Sequence, residues 1–364
     1  MKTALLALML SACLLAPSDA ADKKTPDASD TLRRYADQLG FRIGAGIRPV
    51  SWDQDEQGRQ ILAREFNTTM TMGMMGATEP RGEGQFDFSK MDRTIKFAKE
   101  HDMKIWGAAL IYRPDSLPEW MRQKMQGRNP RQAFPAGQLD ELMKKHIQTV
   151  VQHGGDNFYA WGVVNEPLGG KHNPWQFLMG DDEYIAKAFR FAREATRVPL
   201  VLNETFGHDG IDKDRANEFF ALVKRLKAQG VPIDGVGTEM HLHAHELDPD
   251  YLDQFRDFLR RARELDVTVY ITEMDVYQGP PGALQNPLEA QRKIYHDVAA
   301  TCLADSNCKG LTIWDLSDKD TWLVHRKANQ IPDAKPDLFD DDYQKKPAYY
   351  GVLDALKEAA AARH

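Results

Sequence analysis

Cysteine is scarce: three residues in 364. That excludes a small disulfide-built scaffold, and two or three scattered thiols do not fill a zinc shell. Positive charge is in deficit. The 47 Lys and Arg are outnumbered by 54 Asp and Glu, for a net charge of −7 with histidine neutral. A nucleic-acid binder is normally basic, so that class is disfavoured. Long apolar runs are missing as well. The stretch at residues 4–16 is too short for a bilayer, which takes about 20 residues. No glycine-rich phosphate loop follows an apolar strand, since Gly44-Ala45-Gly46-Ile47-Arg48-Pro49 is a poor match. After residue 30 there is no repeat, linker or low-complexity tract.

What is present begins with an export pattern. Met1-Lys2 gives a short positive region, residues 4–16 the apolar segment, and Ser18-Asp19-Ala20 a small-x-small cleavage site. Residues 1–20 are therefore read as a signal peptide, 21–30 as a flexible polar leader, and 31–364 as one catalytic domain. The product is expected in the periplasm or secreted. An alternative reads Leu10-Ser11-Ala12-Cys13 as a lipoprotein box, with a lipid on Cys13 and an outer-membrane location. Removal of the signal leaves Cys302 and Cys308. An even pair in an exported protein favours a disulfide, with two reduced thiols as the alternative.

Apolar runs of strand length recur eight times: Phe41–Ile47, Thr68–Gly73, Lys104–Ile111, Phe158–Glu166, Pro199–Asn203, Gly235–Leu242, Val267–Glu273 and Gly310–Leu316. Helical periodicity separates them, as at residues 138–153, 217–230 and 252–266, the second ending on the helix stop Gly230. Alternation of strands and helices implies a parallel sheet, and eight such units predict a single-domain α/β structure, the (β/α)8 TIM barrel. In that fold the C-terminal strand ends line the active site.

Two of those ends carry glutamates. Glu166 closes the fourth expected strand in Trp161-Gly162-Val163-Val164-Asn165-Glu166-Pro167, and Glu273 closes the seventh in Ile271-Thr272-Glu273-Met274. Strands four and seven face each other across an eight-stranded mouth. Paired carboxylates are what acid-assisted glycoside hydrolysis needs: one protonated to release the leaving oxygen, the other ionised. Taken singly, a strand-end glutamate is more often a cap or ion-pair partner. Alternating His241, His243 and His245 raise a metal-dependent hydrolase as a competing reading. Against it, His245 is expected beyond the strand, so no metal is assigned to the reaction.

Beyond the glutamates, several segments resemble glycoside hydrolase family ten, the endo-1,4-β-xylanases. They are Ala77–Asp92, the Trp161–Pro167 motif, Ile233–His243, Ile271–Val276, Leu311–Leu323 and Pro336–Leu356. The resemblance implies a retaining enzyme acting on xylan or xylo-oligosaccharides. Glu166 would be acid/base and Glu273 nucleophile. Asn165 would hold the sugar 2-hydroxyl, and His241 would hold Glu273. Trp314 would wall the sugar site. Trp322 and Tyr112 are further candidates for substrate contact, and Glu239 and Arg113 are candidates for new specificity groups, with an ion pair equally open for Arg113. The Cys302/Cys308 pair sits where some members carry a disulfide. A monomer without cofactor is expected, with a polysaccharide or oligosaccharide as its partner.

The sequence departs from the family on the non-reducing (glycone) side. Where the family shows Gly-His-Thr-Leu-Val-Trp-His, this chain has Gly107-Ala108-Ala109-Leu110-Ile111-Tyr112-Arg113. Where it shows Glu-Asn-Glu-Met-Lys, this chain has Met72-Gly73-Met74-Met75-Gly76; Glu239 replaces a glutamine, and Asn203-Glu204-Thr205-Phe206 replaces Asn-Asp-Tyr-Asn. The glycone site is expected to be rebuilt, with an altered specificity as the alternative to plain xylan.

Overall fold

The computed structural model describes residues 30–47, 51–113, 116–128, 130–135, 137–169, 175, 183–325 and 330–363. The expected signal peptide, its Cys13, and the leader up to residue 29 lie outside the described residues. Eight parallel strands close into a barrel. They are β1 Arg42–Ala45, β2 Thr68–Met72, β3 Lys104–Ala108, β4 Phe158–Asn165, β5 Leu200–Thr205, β6 Gly235–His243, β7 Thr268–Tyr277 and β8 Cys308–Ile313. The circle is completed where Arg42 to Ala45 pair with Gly310 to Ile313.

Helices return the chain between strands because their apolar residues recur on one face. In Gln138–Gly154 the buried set is Leu139, Leu142, Met143, His146, Ile147, Val150, Val151 and Gly154, the three-and-four spacing of an amphipathic helix. Lys213–Ala228 buries Ala216, Phe219, Phe220, Leu222, Val223 and Leu226. It stops just before Gly230, whose φ of 70° suits a residue without Cβ. The main core fills the space between sheet and helices. A smaller cluster, Trp106, Ala108, Ala160, Val201 and Tyr270, plugs the barrel itself. Among the described residues no helix is long and apolar enough to cross a membrane.

Strand boundaries differ from expectation where tertiary pairing overrides local pattern. β7 runs four residues past Glu273, because Met274 to Tyr277 remain paired with Met240 to His243 of β6. β3 stops at Ala108, although Ile111 makes an isolated bridge to Val164. β4 ends at Asn165, one residue short of Glu166. β8 starts two residues early, at Cys308, whose disulfide to Cys302 ties it to the helix Pro287–Ala304.

Candidate active site

The site is assembled where β3 to β8 reach the C-terminal mouth. At the end of β4, the Asn165 N–H donates to the Ile111 carbonyl and the Glu166 N–H to the Asn203 carbonyl, both at 2.9 Å. The turn is thereby fixed to both neighbours. Glu166 leaves the strand with φ 46°, in the left-handed region that side chains with a Cβ enter only at a cost. Its Oε1 accepts a hydrogen bond from the Tyr112 hydroxyl. Arg113 donates to that same hydroxyl, lies 3.5 Å from Glu166 Oε1, and stacks 4.7 Å above the Tyr112 ring.

Glu273 sits inside β7 and has different company. Its Oε2 is 3.3 Å from His241 Nε2. His241 Nδ1 lies 2.7 Å from Asp275 Oδ2, and Trp322 Nε1 donates to the same oxygen at 2.6 Å. Burial alone would lower the His241 pKa. The Asp275 carboxylate, with Glu273 behind it, outweighs burial and holds the ring well above the ordinary histidine range. The two carboxylates thus favour the charged form of the ring, one at each nitrogen.

Asn203 on β5 is the hub. Its Nδ2 lies 2.6 Å from Asn165 Oδ1, 2.9 Å from Glu239 Oε1 and 3.5 Å from Glu273 Oε1, while its Oδ1 accepts from Thr272 Oγ1 at 2.7 Å. The amide reaches this position because Gly237 has no side chain; a Cβ there would stand 2.0 Å from Asn203 Oδ1. Glu239 also receives Asn165 Nδ2 at 3.4 Å. Burial raises the Glu239 pKa well above the usual carboxylate value, and the Glu273 and Glu166 charges add to the rise. Burial also raises Glu273, with His241 opposing. Several acids buried close together cannot all ionise cheaply, and the rise at Glu239 and Glu273 is the expression of that.

On the β2–β3 side a cavity of about 90 Å³ is walled by Met72, Met74, Ala108, Ala109 and Trp314 and reaches Glu273. Met72 and Trp314 also border a larger cavity of about 240 Å³ that extends toward Trp52, Lys90 and Arg93. The structure thus brings together Glu166, Glu273, Asn165, His241, Glu239, Tyr112, Arg113 and Trp314. Trp322 lies against the His241 ring at 4.8 Å, with its N–H committed to Asp275. Sequence reasoning missed Asn203, Thr272 and Asp275 as site residues. The available signals were a polar residue at the end of the buried β5 and an acid two residues beyond Glu273, on the same face of β7. Glu204, next to Asn203, is turned away and closed by Arg215 at 2.8 Å.

Among the described residues two groups have metal-ligand spacing: Glu239 with His241 and Glu273, and His243 with His245 and Glu246. The first is the hydrogen-bonded network just described. In the second, His243 ends β6 and His245 lies in the turn beyond it.

Residues 31–355 match the model described as glycosyl hydrolase family 10. An "Endo-1,4-beta-xylanase" of Agaricus bisporus is 32% identical, with the match covering 88% of this chain and 94% of the relative. "Endo-1,4-beta-xylanase C" of Paenibacillus barcinonensis is 30% identical over 92% of this chain, which spans only 32% of that relative's length. Among solved structures, xylanase 10B from Thermotoga petrophila in complex with xylobiose superposes with a TM-score of 0.80 at 29% identity, covering 91% of this chain and 98% of that one.

Proposed function

The chain belongs to glycosyl hydrolase family 10, and from that premise we propose that it is a retaining endo-1,4-β-xylanase acting on xylan or xylo-oligosaccharides. The observation that carries this reading is the unequal company of two buried glutamates in one site. Glu273 faces the His241 ring and the Asn203 amide, which favour a carboxylate and oppose the rise that burial causes. Glu166 sits on a turn under a tyrosine hydroxyl.

In the proposed double displacement, Glu166 gives its proton to the glycosidic oxygen as the Glu273 carboxylate attacks the anomeric carbon. The aglycone leaves as an alcohol, and the sugar stays on Glu273 as an ester. Glu166, now a carboxylate, takes a proton from water, whose oxygen displaces Glu273 and frees a sugar of the original anomeric configuration. Asn165 Nδ2, which lies 3.4 Å from Glu239 Oε1, is read as the donor to the 2-hydroxyl. Trp314 offers an apolar wall to the sugar's C–H face. The methionine and alanine wall replaces polar glycone contacts with apolar ones, so recognition there relies on shape. Residues 1–20, read as an export signal, put the enzyme outside the cytoplasm as a periplasmic or secreted monomer, with lipidation of Cys13 as the anchored form.

The test is hydrolysis of xylan and xylo-oligosaccharides, with the anomer of the first product read by NMR. Peptide mapping after trapping with a 2-fluoro xylobioside locates the nucleophile. Expected are the β-anomer first and label on Glu273. An α-anomer first, label on another residue, or hydrolysis of other β-glycans to the exclusion of xylan would overturn the reading.

A further inference from the structure

Glycoside hydrolysis leaves one cluster of imidazoles unused. It lies where β6 meets the turn that follows, and it contains His243, His245 and Glu246. We propose that these three residues form a binding site for a first-row divalent transition metal, with zinc as the reference ion. The site is separate from the carboxylate pair and does not depend on the reading of the reaction.

The argument starts from spacing. His243 ends β6 and His245 follows in the turn, and their rings stack 5.7 Å apart, so the turn brings both side chains to one side. Glu246 follows in the turn and closes back on both. Its Oε2 is 3.0 Å from His243 Nδ1 and its Oε1 is 3.4 Å from His245 Nε2. One ligand atom from each residue lies within 4.8 Å of the others. A tetrahedral zinc with bonds of about 2.0–2.1 Å sets its ligand atoms about 3.4 Å apart. The observed spread exceeds that by about 1.4 Å at most, which small side-chain rotations remove.

The imidazoles are also held before any ion arrives. The His208 ring stacks on His243 at 4.4 Å and 5°, and His243 stacks on His245 at 5.7 Å. Tyr277 stands edge-on to both at 5.3 and 5.8 Å. The His243 N–H donates to the His208 carbonyl at 2.7 Å, and the Ala244 N–H to the Tyr277 carbonyl at 2.8 Å. The ligand pair is thus pinned between the segment after β5 and the end of β7. His245 packs against Gly279, where a Cβ would stand 2.8 Å from Nδ1. That buried nitrogen has no hydrogen-bond partner. The wall leaves Nε2, already directed at Glu246, as the coordinating atom.

Chemistry selects the ion. Two imidazoles and one carboxylate suit zinc, nickel, copper or cobalt, with water completing the shell. Calcium and magnesium take mainly oxygen ligands and gain little here. The clamp sits two residues beyond His241. An ion there would tie down the end of β6, raising stability without taking part in the chemistry.

The test uses the full, untagged chain stripped by a chelator and titrated with zinc chloride, read by calorimetry and by thermal melting. Expected are one equivalent bound at micromolar concentration and a rise in Tm that saturates with it. Cobalt in its place should give a visible d–d absorption band. H245A and E246Q, each checked for folding by circular dichroism, should weaken binding by at least about tenfold. Both should keep xylan hydrolysis, and H153A, outside the cluster, should bind zinc normally. Zinc uptake only at millimolar concentration, or folded H245A and E246Q proteins that bind as the parent does, would overturn the proposal.

Discussion

Replacing Asn203 with alanine removes one amide that serves four partners, so its cost can be worked out from the contacts. The Nδ2 group contacts Glu239 at 2.9 Å and Glu273 at 3.5 Å. Hydrogen bonds to charged groups contribute about 1.5–3 kcal/mol each, and less when stretched. Only the 3.5 Å contact reaches the proposed nucleophile, and stretched it contributes about 1–1.5 kcal/mol. If that stabilisation acts on ionised Glu273, kcat/KM falls by roughly tenfold. The pH profile gives a second reading. An amide N–H favours ionised Glu273, so its loss should raise a pKa that burial has already raised. The attacking form then appears only at higher pH, and the acidic limb of kcat/KM should move upward. Asn203→Asp keeps the volume but puts a third acid beside Glu239 and Glu273, so it should be worse than alanine. The assay is initial-rate kinetics on an aryl xylobioside from pH 4 to 9, about one point per half unit, with folding checked by circular dichroism. A folded alanine variant within about threefold of the parent, with its acidic limb unmoved, would refute the reasoning. So would an aspartate variant better than alanine, because it would show that volume rather than donation matters.

Three further outcomes follow from groups outside the reaction. The Asp337 carboxyl is buried with no hydrogen bond to either oxygen, and burial next to Asp315 and Asp318 raises its pKa well above the ordinary value. Below the unfolded pKa both states are protonated; above it the folded state keeps the proton longer. The native state therefore loses stability as pH rises from about 4 through the folded value. Asp337→Asn should flatten that decline in denaturant melts at successive pH values, and an unchanged slope would contradict it. Lys346 Nζ lies 2.8 Å from Asp318 Oδ2 and 2.7 Å from the Lys335 carbonyl. Lys346→Met leaves that acid group without its buried cation and should cost about 3–5 kcal/mol at neutral pH, seen as a lowered denaturation midpoint. The Cys302–Cys308 bridge spans a sequence separation of six. Loop entropy then gives about 2 kcal/mol, so the double serine variant should melt a few degrees lower, while an unchanged melt would rule out the entropic account.

Local sequence carries the strands well, since apolar periodicity is a local property; it carries the site less well. Glu166 and Glu273 stand out because acids at the ends of apolar runs are costly unless used. Asn203 does not stand out. Its role exists only through the β5 register, which pairs it with Asn165 on one side and Gly237 on the other. The length of β7 was illegible for the same reason, being set by β6. Tyr112 and Arg113 were visible only as substitutions. Their closure onto Glu166 depends on the Ile111–Val164 bridge, which brings the segment after β3 alongside the end of β4.

The two glutamates are mounted on unlike supports. One is anchored mid-ladder in β7, with paired backbone continuing to Tyr277; the other hangs from a corner residue at φ 46°. Both are held: the ladder fixes Glu273, and the backbone bonds to Ile111 and Asn203 fix the corner that carries Glu166. On the proposed roles, backbone strain is spent only at the proton donor, to turn its carboxyl out of the strand line, while the nucleophile stays in ordinary strand geometry.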